Sequence, residues 1–251
     1  TCIGARDGTC LTALQKQVIG NIHVGATTSA GVPIYASFPF DPGLVGSDWA
    51  TWEFFFALVL DPLSTGTVFS TPPAYLPSGL TASIDSLAAS IYASDATYTE
   101  SAMQFMTPPD PSNLSVLKYR GAKVIVYHGV ADAVFSFNDT VAWYRSVAAA
   151  NGGDPRHFAR LFAVPGMNHC GGGPATDQFD LLAPLVKWVE QGQEPEAVTA
   201  SARGAGNPGG VNAELPADWS ATRTRPLCSY PRVARYKGWG SLESASSFVC
   251  L

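Results

Sequence analysis

The sequence predicts an α/β fold in which a parallel sheet is joined by crossover helices, and three observations carry that prediction. The stretch AKVIVYHG, residues 122–129, is a short β-branched run that ends at glycine, the pattern of a buried parallel strand. A second short, largely apolar run, residues 158–164 within HFARLFAVPG, reads as the next strand. Helical periodicity appears after each run, so residues 116–192 read β-α-β-α.

The first of these helices is NDTVAWYRSVAAANGG. Asn138 is its expected N-cap, Val141, Tyr144 and Val147 with Ala148 share one face, and Gly152 lies past its end. The second is TDQFDLLAPLVKWVEQG, capped by Thr176 and stopped at Gly192, with Leu182, Leu185, Val186 and Val189 as its apolar stripe. Residues 1–115 have another texture, rich in Ser, Thr, Pro and aromatic residues and weakly periodic. Their clearest helical piece is SDWATWEFFFALVLDP, with an N-cap at Ser47 or Asp48. PAYLPSGLTAS and MTPPDPSN read as loops. The expected organisation is an irregular lid at 1–115, the sheet region at 116–200, and a Pro/Gly/Ser/Arg-rich tail at 201–251 packed on that region.

Bulk properties narrow the function. With 251 residues, 46% hydrophobic and 14% charged, the chain is long and apolar enough to bury a substantial core. A net charge of -5 and the lack of any Lys/Arg block argue against a nucleic-acid binder. The longest apolar cluster, FFFALVL, is far shorter than the ~18 residues of a membrane span. The opening TCIGARDGTC has neither a basic start nor an apolar run, the pattern of a chain whose leader has been removed or that begins inside a longer protein. Of the five cysteines, Cys2 and Cys10 lie close together, as do Cys228 and Cys250 in the tail. Each pair is spaced to close a local loop, stabilising it by ~2–4 kcal/mol; the alternative is that all five are reduced and buried. Two bridges would leave Cys170 as a free thiol or bonded elsewhere, and would imply a secreted or periplasmic protein. Asn113 and Asn138 begin glycosylation sequons.

In open α/β sheets functional side chains gather just past the carboxyl ends of the strands. The first strand ends in YHGVADAVFS, placing His128 and Asp132 beyond it, and the second ends in VPGMNHC, placing His169 there. An Asp on one strand end and a His on the next can hydrogen-bond across neighbouring loops. This is the acid-then-base order of an α/β-hydrolase triad. No serine has glycines two positions away on both sides, so the sequence holds two thirds of a triad. His128 reads as a substrate contact, a support for Asp132 or a core histidine. Phe135 reads as a pocket wall or as core packing, and Trp49, Trp52 and residues 54–56 as core packing rather than an aromatic platform. His128, Asp132 and His169 lack metal-site spacing such as HExxH, no CxxC or Cys/His cluster has zinc spacing, and HCGGGP lacks the lysine of a phosphate loop.

HGVADAVFS, PGMNHCGGGP, LVKWVEQGQEPEAVTASA and TRTRPLCSYPRVARYKGWGS, in this order, resemble the tannase/feruloyl esterase family. The resemblance covers the whole chain, more loosely in the lid. It implies the C-terminal part of an α/β-hydrolase fold plus an irregular lid, and a carboxylic ester hydrolase for esters of hydroxylated aromatic acids. By the same resemblance Asp132 is the acid, His169 the base, and Cys170 half of a disulfide to a cysteine preceding the catalytic serine. That cysteine and serine are expected upstream, on an N-terminal segment or subunit linked through Cys170. The Cys2–Cys10 and Cys228–Cys250 spacings look like the family's local bridges. The family's calcium loop, an Asp-rich turn of the lid, is expected before residue 1, since ARDG at 5–8 is too poor in carboxylates to replace it. The rival reading is a catalytically empty lid-and-scaffold piece that binds an aromatic ligand or a partner chain.

Overall fold

The Thr12 hydroxyl accepts the Gln15 N–H while the Gln15 side chain accepts the Thr12 N–H, and this capping box opens helix α1 (Ala13–Val24). The computed structural model describes residues 1–4, 8–74 and 82–251. ARDG and PAYLPSGLTAS fall largely outside the described residues. The chain forms two compact units, Thr1–Phe40 with Phe54–Thr107, and Asp41–Glu53 with Pro108–Leu251. The first holds α1, the Cys2–Cys10 disulfide and further helical segments at Asp61–Thr67, Ile84–Ile91 and Ala102–Met106. Its buried His23 stacks on Phe40 at 3.9 Å and turns Nδ1 to the Phe38 carbonyl.

The helix expected from residue 47 onward is interrupted. Helix α2 (Ser47–Ala50) passes into a π-helical turn at Thr51–Phe56 before α geometry resumes at Ala57–Val59. Gly46 is its N-cap, with no side-chain cap, because the Ser47 and Asp48 side chains bond to distant partners. Segment Asp41–Glu53 belongs to the second unit, so the first 115 residues divide between the two units.

In the second unit β1 (Val124–Gly129) and β2 (Ala159–Val164) pair in parallel, from Val124 beside Ala159 to Gly129 beside Val164. Helix α3 (Phe137–Ala150) connects them. Its N-cap is Ser136, whose extended backbone lets Oγ accept the Asn138 N–H at 3.0 Å; Asn138 already lies in the first turn and cannot cap it. Val141, Tyr144 and Val147 pack with Phe137, Phe158, Ala159 and Leu161 as one core, and the Tyr144 hydroxyl donates to the Ala159 carbonyl at 2.9 Å. On the other face Phe162, Val164 and Met167 meet Val198, Ala200 and Leu227. These last belong to the antiparallel pair β3 (Ala197–Ser201) and β4 (Thr224–Cys228). The tail adds a second antiparallel pair, β5 (Ala234–Tyr236) with β6 (Phe248–Cys250), and the Cys228–Cys250 disulfide ties β4 to β6.

Helix α4 (Leu182–Gln191) starts later than predicted. Gln178 and Ser201 exchange backbone hydrogen bonds, which keeps that stretch extended. Asp180, not Thr176, accepts the first free N–H groups, from Leu182 and Ala183. Gly192 ends the helix in the left-handed conformation, as the sequence suggests. The stripe faces outward: Trp188 is the buried residue, while Leu182, Val186 and Val189 are 70%, 41% and 56% exposed. Among the described residues β1 pairs only with β2, and Tyr127 in its middle is half-exposed.

Candidate active site

Because β1 and β2 run in parallel register, the loops beyond their carboxyl ends meet. Val130 N–H donates to the Val164 carbonyl at 3.0 Å and Ala131 N–H to the Met167 carbonyl at 3.1 Å, which carries the alignment into both loops. A Cβ on Gly129 would collide with the Met167 carbonyl, so this close approach requires glycine.

Asp132 lies in the first loop and is 4% exposed. Its Oδ1 accepts the Val134 and Phe135 N–H groups at 2.8 and 2.9 Å, while Oδ2 lies 3.0 Å from His169 Nδ1 and 3.4 Å from His128 Nε2. Burial raises the carboxyl pKa, but the hydrogen bonds from His128, Phe135 N–H, His169 and Val134 N–H together outweigh it and hold the group down at about 2. An ionised Asp132 fixes the proton of His169 on Nδ1. Nε2 is then the basic nitrogen, and it has no hydrogen-bond partner among the described residues.

His128 is tied into the loop beside Asp132. Nε2–H donates to the Phe135 carbonyl at 2.9 Å and Nδ1 accepts the Thr140 hydroxyl at 2.7 Å, so both ring nitrogens are used in supporting the Asp132 loop. Phe135 is 58% exposed, with its ring 5.6 Å from that of His169. Trp52, read from spacing as core, also stands edge-on to His169 at 5.6 Å. Two aromatic rings therefore border the imidazole.

Sequence reasoning missed the residues that hold these loops. Asp48 Oδ2 accepts the His169 backbone N–H at 3.0 Å, and buried Trp49 donates from Nε1 to the Ala131 carbonyl at 2.7 Å. Helix α2 thus grips both loops. Glu214 accepts from Ser47 N–H and Oγ–H through one oxygen and from Gly173 N–H through the other. Asp177 accepts the Gly172 N–H at 2.8 Å and a bidentate Arg203. Gly173, at φ 71°, fits against the Gly166 carbonyl where a side chain would not. The run of glycines after His169 is thereby clamped from two sides. Cys170 follows His169 with φ 64°; its thiol is exposed and is the free one, with Cys2–Cys10 and Cys228–Cys250 bonded.

Asp48 holds the His169 loop through that loop's backbone. Asp48→Ala, which removes one hydrogen bond, is expected to lower stability by ~1 kcal/mol in denaturant unfolding. Asp48→Asn should lose less, since its amide oxygen can accept the same N–H. Equal losses in the two variants would reject this role.

Among the described residues no three His, Cys, Asp or Glu side chains gather to hold a metal ion.

Residues 1–251 match the family described as tannase and feruloyl esterase. Mono(2-hydroxyethyl) terephthalate hydrolase from Piscinibacter sakaiensis is 36% identical over 274 residues, covering 99% of this chain and 43% of that protein. A probable feruloyl esterase from Arthroderma benhamiae is 37% identical over 142 residues, 55% of this chain and 24% of that one. The crystal structure of feruloyl esterase B from Aspergillus oryzae shares the fold with a TM-score of 0.64 at 22% identity, across 97% of this chain and 47% of that chain. The chain spans less than half the length of these relatives. With the family match running from the first residue to the last, the chain belongs to the tannase and feruloyl esterase family.

Proposed function

We propose that this chain supplies the acid and base of a serine-type carboxylic ester hydrolase acting on esters of hydroxylated aromatic acids, with feruloyl or chlorogenate esters as the first candidates. The observation that carries this reading is the His169 Nδ1–Asp132 Oδ2 bond of 3.0 Å, made by a buried ionised carboxylate, with Phe135 and Trp52 beside the ring. Asp132 keeps the imidazole in the tautomer whose Nε2 can accept a proton. As the serine oxygen bonds to the ester carbonyl carbon, its proton passes to Nε2, and Asp132 stabilises the imidazolium. Collapse of the tetrahedral species breaks the bond to the alcohol, which leaves with that proton. A water then repeats the sequence on the acyl-enzyme and releases the aromatic acid.

The serine and its oxyanion donors are assigned to residues outside these 251. Supporting this, β1 keeps one edge without a partner among the described residues, and Tyr127, Leu182, Val186 and Val189 leave apolar surface uncovered around the sheet. The unit containing α1 is assigned as the lid. Cys170, exposed and next to His169, is assigned a disulfide to a cysteine beside that serine, which would fasten nucleophile and base loops together. The two disulfides support a secreted or periplasmic location.

The test is to treat the purified enzyme with a serine-directed phosphonate while following methyl ferulate hydrolysis, and to map its cysteines without reduction. Stoichiometric phosphonylation of one serine with complete loss of turnover is expected, together with a Cys170 peptide linked to the labelled serine's neighbour. Undiminished turnover after labelling overturns the serine mechanism, and an alkylatable Cys170 thiol in the native enzyme overturns the disulfide.

A further inference from the structure

Behind the His169 loop lies a cavity that the chemistry above does not use. It measures about 340 Å³, within the usual range of small-ligand sites. Gly166 and Pro174 form one side, and Trp219, Arg223, Arg225, Leu227 and Phe248 the others. Arg225 and Leu227 lie on one face of β4, and Arg223 just precedes its first residue; all three line the cavity.

The two guanidinium groups are held alike but neutralised differently. Arg223 lies 3.8 Å over the Trp219 ring, and its Nη1 pairs with Glu243 at 2.8 Å. Its Nε–H is buried with no hydrogen-bond partner among the described residues. Arg225 lies 4.3 Å over the Phe248 ring and donates Nη1–H to the Thr224 carbonyl. Among the described residues no carboxylate pairs with it. Burial and the neighbouring Arg223 both act against its charge, and Glu243 only partly offsets them. One carboxylate therefore faces two cations in a partly desolvated wall, leaving one positive charge unmatched. A guanidinium stacked flat on a ring keeps its edge N–H groups for a planar acceptor. The rest of the wall is rings and aliphatic surface.

We propose that this cavity is a binding site for a planar aromatic monocarboxylate, with the carboxylate on Arg225 and the ring against Trp219, Leu227 and Phe248. An acid of this class is also what aromatic-ester hydrolysis releases, so the cavity's physiological ligand rests on the reading above, while the binding itself does not.

Titration of the purified protein with benzoate, read by calorimetry and by the Trp219 indole N–H resonance, tests it. Saturable binding in the millimolar range or tighter is expected, with a shift of the Trp219 signal and no comparable effect of benzyl alcohol or sulfate. Arg225→Met should weaken benzoate at least tenfold while ester turnover is retained, and His169→Ala should leave benzoate affinity unchanged. No saturable Trp219 shift in the unmodified protein overturns the proposal whether or not the Arg225 variant folds. Sulfate competing as well as benzoate reduces the cavity to a general anion site and also overturns it. Benzoate binding in a protein without esterase activity would leave the cavity standing and remove the proposed function.

Discussion

His169→Ala is expected to lower turnover of an aromatic methyl ester by about 10³–10⁶-fold, the range seen when the base of a serine triad is removed. The expectation follows from geometry. The imidazole is set by contacts at both its ring and its backbone: Nδ1 on Asp132, the ring beside Phe135 and Trp52, and the N–H on Asp48. Alanine keeps the backbone contact and removes the imidazole to which the proposed mechanism assigns the serine proton. The fold should tolerate the change, since the His169 side chain is 27% exposed and the cores of the second unit do not include it. Single-turnover hydrolysis of methyl ferulate, with the melting temperature as a control, separates the two effects. Turnover within tenfold of the unmodified enzyme, in a variant that melts normally, would remove His169 from the chemistry.

The elements that position this pair were legible because their signals are local. A β-branched run ending in glycine, VIVYHG, and a short apolar run, ARLFAV, each read as a strand, and their parallel pairing brings the following loops together. The helix face Val141, Tyr144 and Val147 was readable for the same reason. What failed was whatever depends on distant partners. Asp48, Trp49 and Glu214 bond to residues 121, 82 and 167 positions away, and no spacing rule reaches that far. The same long-range bonds explain the missed cap of α2, since Ser47 and Asp48 look like N-caps but spend their oxygens on other loops. In α4 the apolar stripe was correctly read as apolar, but periodicity cannot say what covers a face, and Trp188 takes the buried position. His128 shows the complementary limit: its placement at a strand end was clear, whereas its hydrogen bonds to Thr140 and Phe135 belong to the folded loop.

Asp132→Asn should cost about 10²–10⁴-fold in kcat and also change the response to acid. An amide cannot satisfy this site in either orientation. With Oδ1 on the Val134 and Phe135 N–H groups, Nδ2 points donors at His128 Nε2–H and at His169 Nδ1–H. His169 must then shift its proton to Nε2, so that the acceptor the proposed mechanism needs is gone. With the amide reversed, Nδ2 meets two backbone donors instead. The carboxylate is also a source of stability with a definite pH window. Its folded pKa of about 2 lies below the ordinary 3.8, so the stabilisation is fully present above pH 3.8 and is lost as pH falls toward 2. The difference corresponds to about 2 kcal/mol, an order-of-magnitude figure. Denaturant unfolding at pH 7, 4 and 2 should therefore show a steeper acid loss in the unmodified protein than in Asp132→Asn, which has no carboxyl to protonate there. Matching acid profiles would mean that Asp132 is not held ionised by this network. An asparagine variant with near-normal turnover would mean that the tautomer of His169 is set by something else.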